Sequence, residues 1–332
     1  MTTISNNREE TRSVQGLIFE GHIADINNIM SSSIFTKSLK TLSYLELFNV
    51  EVDRSRDWNV ITSAAAAPSL LSSTSVSSLS TNSNNNLVTT QLPQHLETLK
   101  LTNLELPHED GWISLFSQCQ NLKHLDISLG PFDMRWDHIV QGITLSLKYL
   151  HHLGLHDNDY RVAPHLNFSD CIRMLSQECK TLRCLEIHNI RISNENLLEL
   201  CEIQSLQELS LQIGSLEEAS LFAFAERLSS ENDDSRPTAA LVTLKLISAH
   251  NLNDDILKRL ACVKSLMFLS VLWNNRITDA GVKGFLQHDN NNNIDNNKCA
   301  AHTKGGKKRK KSLYVDQCIL VSRWGVWTSE NC

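Results

Sequence analysis

The chain has no run of about 18 apolar residues, so no membrane-spanning helix is expected. Its first ten residues, Met-Thr-Thr-Ile-Ser-Asn-Asn-Arg-Glu-Glu, lack the apolar stretch of a secretory signal. Both absences point to an intracellular protein, cytoplasmic and/or nuclear, in which the nine cysteines are mostly free thiols. The Asn167-Phe-Ser169 sequon then has no meaning as a glycosylation site. No two cysteines stand in Cys-x-x-Cys spacing, which leaves a zinc knuckle unsupported. Gly305-Gly306-Lys307 lacks the spacing of a phosphate loop, and neither a nucleophile elbow nor a His-Glu-x-x-His helix occurs. The expectation is a non-catalytic protein with no cofactor.

Charge is unevenly spread. Residues 289–332 hold eight basic residues against four acidic ones, so the net charge of −6 leaves −10 on residues 1–288. An acidic body argues against a broad nucleic-acid surface. The basic run Lys304–Lys311 is the one candidate for a nucleic-acid contact or a nuclear-import signal, and a solvated tail explains it equally well.

What the chain does have is one phrase repeated. Cys179-Lys-Thr-Leu182-Arg-Cys-Leu185-Glu-Ile187-His-Asn189-Ile190 is matched nearly position for position by Cys119-Gln-Asn-Leu122-Lys-His-Leu125-Asp-Ile127. The ladder recurs at Leu42–Leu47, Leu96–Leu101, Leu147–Leu155, Leu206–Leu211, Leu241–Leu246 and Leu266–Val271, with a weak first copy at Val14–Phe19. Its middle apolar residue falls at 17, 45, 99, 125, 153, 185, 209, 244 and 269. All but one of the steps fit a unit of a short strand plus a helical return, a leucine-rich repeat. A β-sandwich would instead show turn signals every ~8–12 residues. The predicted fold class is α/β: a leucine-rich-repeat solenoid, or horseshoe, with a parallel inner sheet and outer helices.

The domain reading follows. Residues 1–13 form a disordered N-terminus and residues 14–288 the repeat domain. The one long step holds an insertion at 62–90, rich in Ser, Thr, Asn and Ala and too poor in large apolar residues to offset its ordering entropy. Residues 289–332 read as an Asn-rich and basic tail in which the repeat has stopped. Return helices are expected from Asp110, with Trp112, Leu115, Phe116 and Cys119 inward, and from Ser169 or Asp170, with Ile172, Leu175 and Cys179 inward. Others open at the Ser215–Glu218 capping-box pattern, with Ala219, Phe222 and Ala223, at Asp254 or Asp255, and at Thr278–Gly281.

Side chains alternate across a strand, so the residues between the leucines point away from the core, onto the concave sheet. The outward set includes Gly154, Cys184 and Ser210, to which the sequence assigns no role. Neighbouring strands lie ~4.8 Å apart, which gathers His124, His152, His156 and His188 with Asp126 and Glu186 into one patch. Such a set invites a zinc or iron site. An open sheet offers metal ligands little support, however, so the patch reads as a protein-binding surface with pH sensitivity, and no metal is assigned. Glu208 lies on the same face. Tyr160 and Arg161, on a loop leaving the strands, are the expected edge contacts, because aromatic residues and Arg dominate interface energetics. Trp136 divides evenly between that loop surface and the core.

The Cys before the strand, the Asn after it, and Ile277-Thr-Asp-Ala-Gly-Val282 opening a helix resemble the cysteine-containing, ribonuclease-inhibitor-like class of leucine-rich repeats. That class occurs above all in F-box proteins, the substrate receptors of cullin–RING (SCF) ubiquitin ligases. The resemblance spans residues 14–287 and implies a target protein on the concave face, with ubiquitin-ligase subunits as further partners. The F-box itself is not recognisable in residues 1–13. The alternative is a regulator of a small GTPase, since Ran-type GTPase-activating proteins use similar arrays.

Overall fold

The computed structural model describes residues 16–22, 42–51, 95–103, 110–129, 136–157, 168–190, 192–212, 216–229, 240–291, 310–322 and 325–328. Strands β1 (Gly16–His22), β2 (Tyr44–Glu51), β3 (Thr98–Thr102), β4 (His124–Leu129), β5 (His152–Asp157), β6 (Cys184–His188), β7 (Glu208–Gln212), β8 (Thr243–Ile247), β9 (Phe268–Leu272), β10 (Ser312–Asp316) and β11 (Gly325–Thr328) form one sheet in chain order. Every described pairing is parallel except the last, β10 with β11.

The register makes the repeat visible. Leu17, Leu45, Leu99 and Leu125 are successive Cα partners, and the row continues through Leu153, Leu185, Leu209, Leu244 and Leu269 to Leu313. A second buried row runs two residues further on, from Leu101 through Ile127, Leu155 and Ile187 to Val271 and Val315. From β3 to β10 the strands contribute alternate leucine-row side chains to the core, and matching register stacks them. Burying an aliphatic side chain of this size is worth ~1.5–3 kcal/mol, and the array repeats that gain once per unit.

The returns are helices α1 (Asp110–Ser117), α2 (Trp136–Ser146), α3 (Ser169–Glu178), α4 (Asn194–Glu199), α5 (Glu218–Ser229), α6 (Asp254–Ala261) and α7 (Asp279–Asn291), with a 3₁₀ turn at Leu200–Glu202 after α4. Trp112, Leu115, Phe116 and Cys119 are buried, as are Ile172, Leu175 and Cys179, so α1 and α3 present the expected faces. Trp136 is buried in α2 and meets Phe168 edge-on, with ring centroids 6.3 Å apart, which settles it as a core residue. The seven described cysteines are free thiols. Burial pushes Cys119 up to about 12 and Cys179 up to about 11. The fold is a leucine-rich-repeat solenoid.

Several local expectations change. In α5 the buried face is Leu221, Phe224, Ala225 and Leu228, while Phe222 is 41% exposed. The stripe through Ala219, Phe222 and Ala223 continues onto Glu226, whereas the observed stripe closes on Leu228. The caps also move. No side chain caps α3, and Ser169 instead donates to Asn196 Oδ1 at 3.1 Å. Asn253, not an aspartate, caps α6 by accepting from the Ile256 amide at 3.0 Å. Asp254 is taken up by the next unit. Its carboxylate accepts from the Thr278 amide at 2.9 Å and from the Thr278 hydroxyl at 2.6 Å, in space that a side chain at Gly281 would fill. The short α4 went unread because its capping box uses Ser193 with Asn196 in place of a glutamate.

The largest correction concerns the C-terminal segment. The repeat does not end at residue 288, since β10 continues the ladder in register with β9. Nor is the basic run wholly a solvated tail or an import signal. Lys311 is 4% exposed, and its ammonium donates to Ala261 O at 2.6 Å, a carbonyl left over where α6 ends, and to Val263 O at 2.7 Å, which also accepts from the Leu266 amide. The 62–90 insertion, most of the Lys304–Lys311 run, Tyr160 and Arg161 lie outside the described residues. Among those residues, no helix is long and apolar enough to cross a membrane.

Candidate functional site on the open face of the sheet

Helices cover one face of the sheet, and alternation sends polar residues to the other. Parallel register aligns these into rows across the strands. His124, His152, Cys184 and Glu208 are successive partners in one row. Lys100, Asp126, Gly154, Glu186 and Ser210 follow in the next. Ser128, His156 and His188 form a third. The face therefore holds a polar grid whose centre is the three strands β4, β5 and β6.

At that centre the side chains touch. His152 Nε2 lies 3.0 Å from Asp126 Oδ1, and Lys100 Nζ stands 3.9 Å from the other carboxylate oxygen. His156 Nδ1 faces His188 Nδ1 at 3.1 Å, with ring centroids 4.8 Å apart. His188 Nε2 is 2.8 Å from the hydroxyl of Ser210, a residue only 4% exposed. The rings of His124 and His152 sit 5.9 Å apart, while Glu208 stays exposed at the edge of the patch. Gly154 makes the crowding possible. A Cβ there would press on Asp126 Oδ1 and come within 2.9 Å of His156 Nε2. Further along the face, Tyr44 donates to Glu46 at 2.5 Å, and burial followed by that carboxylate pushes the phenol up to about 12.

The electrostatics divide the histidines. The bond to Asp126, then that to Cys184, raises His152 to about 10, so it is an imidazolium at neutral pH. Burial works against the Asp126 carboxylate, but the bond and charge of His152, with Lys100, hold it below the usual range. His156 and His188 move down, each chiefly through burial, and His124 does the same with help from His152 and His151. Those three are neutral imidazoles at physiological pH.

Two overlapping groups bring three ligand atoms within 4.8 Å of one another: His152, Cys184 and Glu186, and His156, Glu186 and His188. Strand alternation by itself places the histidines and carboxylates on one face and gives Gly154, Cys184 and Ser210 no part. Register alone supplies their roles, since each matters through its neighbour on the adjoining strand.

No protein-family model matches the chain, and no curated protein matches it in sequence. Solved structures do. The leucine-rich repeat-containing protein LegL7 from Legionella pneumophila matches at 16% identity and a TM-score of 0.46, over 83% of this chain and 79% of its own. A structure of the Rad7 and Elc1 complex in yeast matches at 14% identity and a TM-score of 0.30, over 70% and 72% of the two chains.

Proposed function

We propose that this chain is a non-catalytic protein-binding module that takes a target protein on the open face of its sheet. The observation that carries the reading is the polar grid on the face opposite the described helices. His124 and Glu208 are exposed there, the central histidines and acids are half-buried, and Lys100 and Lys245 flank them. Such a surface supplies alternating donors and acceptors on fixed backbone positions, which suits recognition of a complementary macromolecular surface better than chemistry on a small molecule. The finer reading rests on the sequence resemblance alone. It makes the chain a target receptor in the manner of F-box proteins, delivering that target to a cullin–RING ubiquitin ligase; Tyr160 and Arg161 are proposed as a further contact on residue type alone.

Cross-linking with mass spectrometry on the native complex tests the surface. Links from the partner are expected at Lys100 and Lys245, on the open face. Links confined to Lys180 and Lys258, on the helix side, would sink the proposal. Cullin-ligase subunits in the same complex, with a target that accumulates when the chain is depleted, support the finer reading. A GTPase retained only in one nucleotide state points instead to a GTPase regulator.

A further inference from the structure

We propose that His156, Glu186 and His188 form a binding site for a divalent transition-metal ion, with Zn²⁺ the best fit, on the open face of the sheet. The two imidazole Nδ1 atoms face each other at 3.1 Å. Two nitrogens on one tetrahedral zinc, each bonded at ~2.0–2.1 Å, stand about 3.3–3.4 Å apart, so the pair already has the bite of a chelate. A direct N–H···N hydrogen bond has a similar length, so the pair alone does not decide the matter. The surroundings do.

Glu186 adds a carboxylate on the same face, two residues before His188, with all three ligand atoms inside 4.8 Å. No lysine or arginine among the described residues bonds that carboxylate. Behind His188 stands the buried Ser210, whose hydroxyl meets Nε2 at 2.8 Å. Metal-bound histidines almost always have the far ring nitrogen held in this way, which fixes the tautomer and turns Nδ1 toward the ion. Behind His156, the Gly154 opening lets Nε2 and Asp126 Oδ1 share one space. The strands that carry the ligands are anchored in the core, since Leu155, just before His156, and Ile187, between Glu186 and His188, are wholly buried. These supports answer the objection that an open sheet cannot hold its ligands.

The neighbouring group of His152, Cys184 and Glu186 shares one ligand. His152 Nε2 is already engaged by Asp126 at 3.0 Å, so the site is assigned to the His156 side. Two nitrogens and one oxygen suit Zn²⁺, Co²⁺ or Ni²⁺ and leave a coordination position toward solvent, open to water or to a donor from a docked protein. No reaction is assigned to the ion, and the site does not depend on what docks.

The test uses the untagged full chain, stripped with chelator and titrated with Co²⁺ and then Zn²⁺. One equivalent of Co²⁺ with visible bands of low coordination number, displaced by Zn²⁺, is expected. Glu186→Gln and His188→Ala should each weaken binding at least tenfold, and Ser210→Ala about tenfold without touching a ligand. Cys184→Ser and His124→Ala should leave it unchanged. Because His188→Ala alters a packed ring, its thermal melt is recorded beside wild type, and ¹⁵N shifts of the Nδ1 atoms of wild type supply a readout free of mutation. Substoichiometric binding, unchanged affinity in a His156→Ala/His188→Ala variant, or a loss caused by Cys184→Ser instead would overturn the assignment.

Discussion

Gly154 is the residue on which the open face turns. Its missing side chain lets Asp126 cross from β4 to reach His152 on β5, and lets the His156 ring lie inward. The pair it permits is a charge-assisted hydrogen bond, worth about 1.5 kcal/mol once solvent access at two partly exposed groups is discounted. His152 titrates higher in the folded chain, at about 10, than in the unfolded one, near 6.5, so its contribution is whole below pH 6.5 and fades as pH rises toward 10. Asp126 titrates lower when folded, so its contribution is whole above the ordinary carboxylate value, ~3.9, and fades in acid. The stability gap between wild type and Asp126→Asn should therefore be widest from about pH 4 to 6.5 and should close by about pH 10. Denaturant melts across that range check it, and a gap that does not change with pH would mean the two groups are not paired. None of this was readable from the glycine itself. Alternation put Asp126 and His152 on one face, but only the register brings the gap at Gly154 between them.

At the level of single elements, strand and return differ in what they reveal. The strands repeat a strict apolar phrase, so their inward and outward positions were legible residue by residue. Leu185 is completely buried and Glu186, beside it, faces out. Leu185→Asp should cost about 4–5 kcal/mol or more and Glu186→Ala within ~0.5 kcal/mol, measured as denaturation midpoints. Equal costs would contradict the assignment of the two faces. The helices were less legible, because short returns carry apolar residues on more than one stripe and borrow caps from unexpected side chains. In α5 the run Leu221–Ala225 offers two faces, and only the reach to Leu228 selects one. Lys311 was the least legible. Its neighbours from residue 304 are basic, yet its ammonium closes the end of α6, a contact across 50 residues of chain. Lys311→Met should leave the carbonyl of Ala261 unmatched, while Val263 O keeps the amide of Leu266, and should lower stability by about 1–3 kcal/mol, whereas a solvated lysine would change nothing measurable in the same melt.

Across the whole molecule, stability is shared along one row of leucines rather than gathered into a single centre. Units of this kind stabilise their neighbours, and terminal units must hide what they would otherwise leave open. At the β9 side that work is done by β10 and β11. Leu313 and Val315 extend the two buried rows, Cys318 and Val321 are buried after β10, and Trp327 of β11, the partner of Leu313, adds a buried ring. Removing residues 310–332 should bare the β9 edge together with Leu269, Val271 and Phe285. The shortened chain is expected to self-associate, and light scattering coupled to size exclusion will show it. A monodisperse, equally stable shortened chain would mean that the array closes without those strands. Sequence reading missed this closure because the last unit lacks the leucine phrase at its entry, where Lys310 and Lys311 stand in register with Leu266 and Met267.

The reversal of β11 also fixes a direction of travel. Parallel strands carry the chain again and again from one rim of the sheet to the other, and the described return helices bring it back behind. The last described strand makes that crossing the other way, so Thr328 stands at the rim where the preceding strands enter. A fluorophore or tether joined at Thr328 would report on the entry rim, and the turns by which the chain leaves β8 and β9 would lie on the far side, out of its reach.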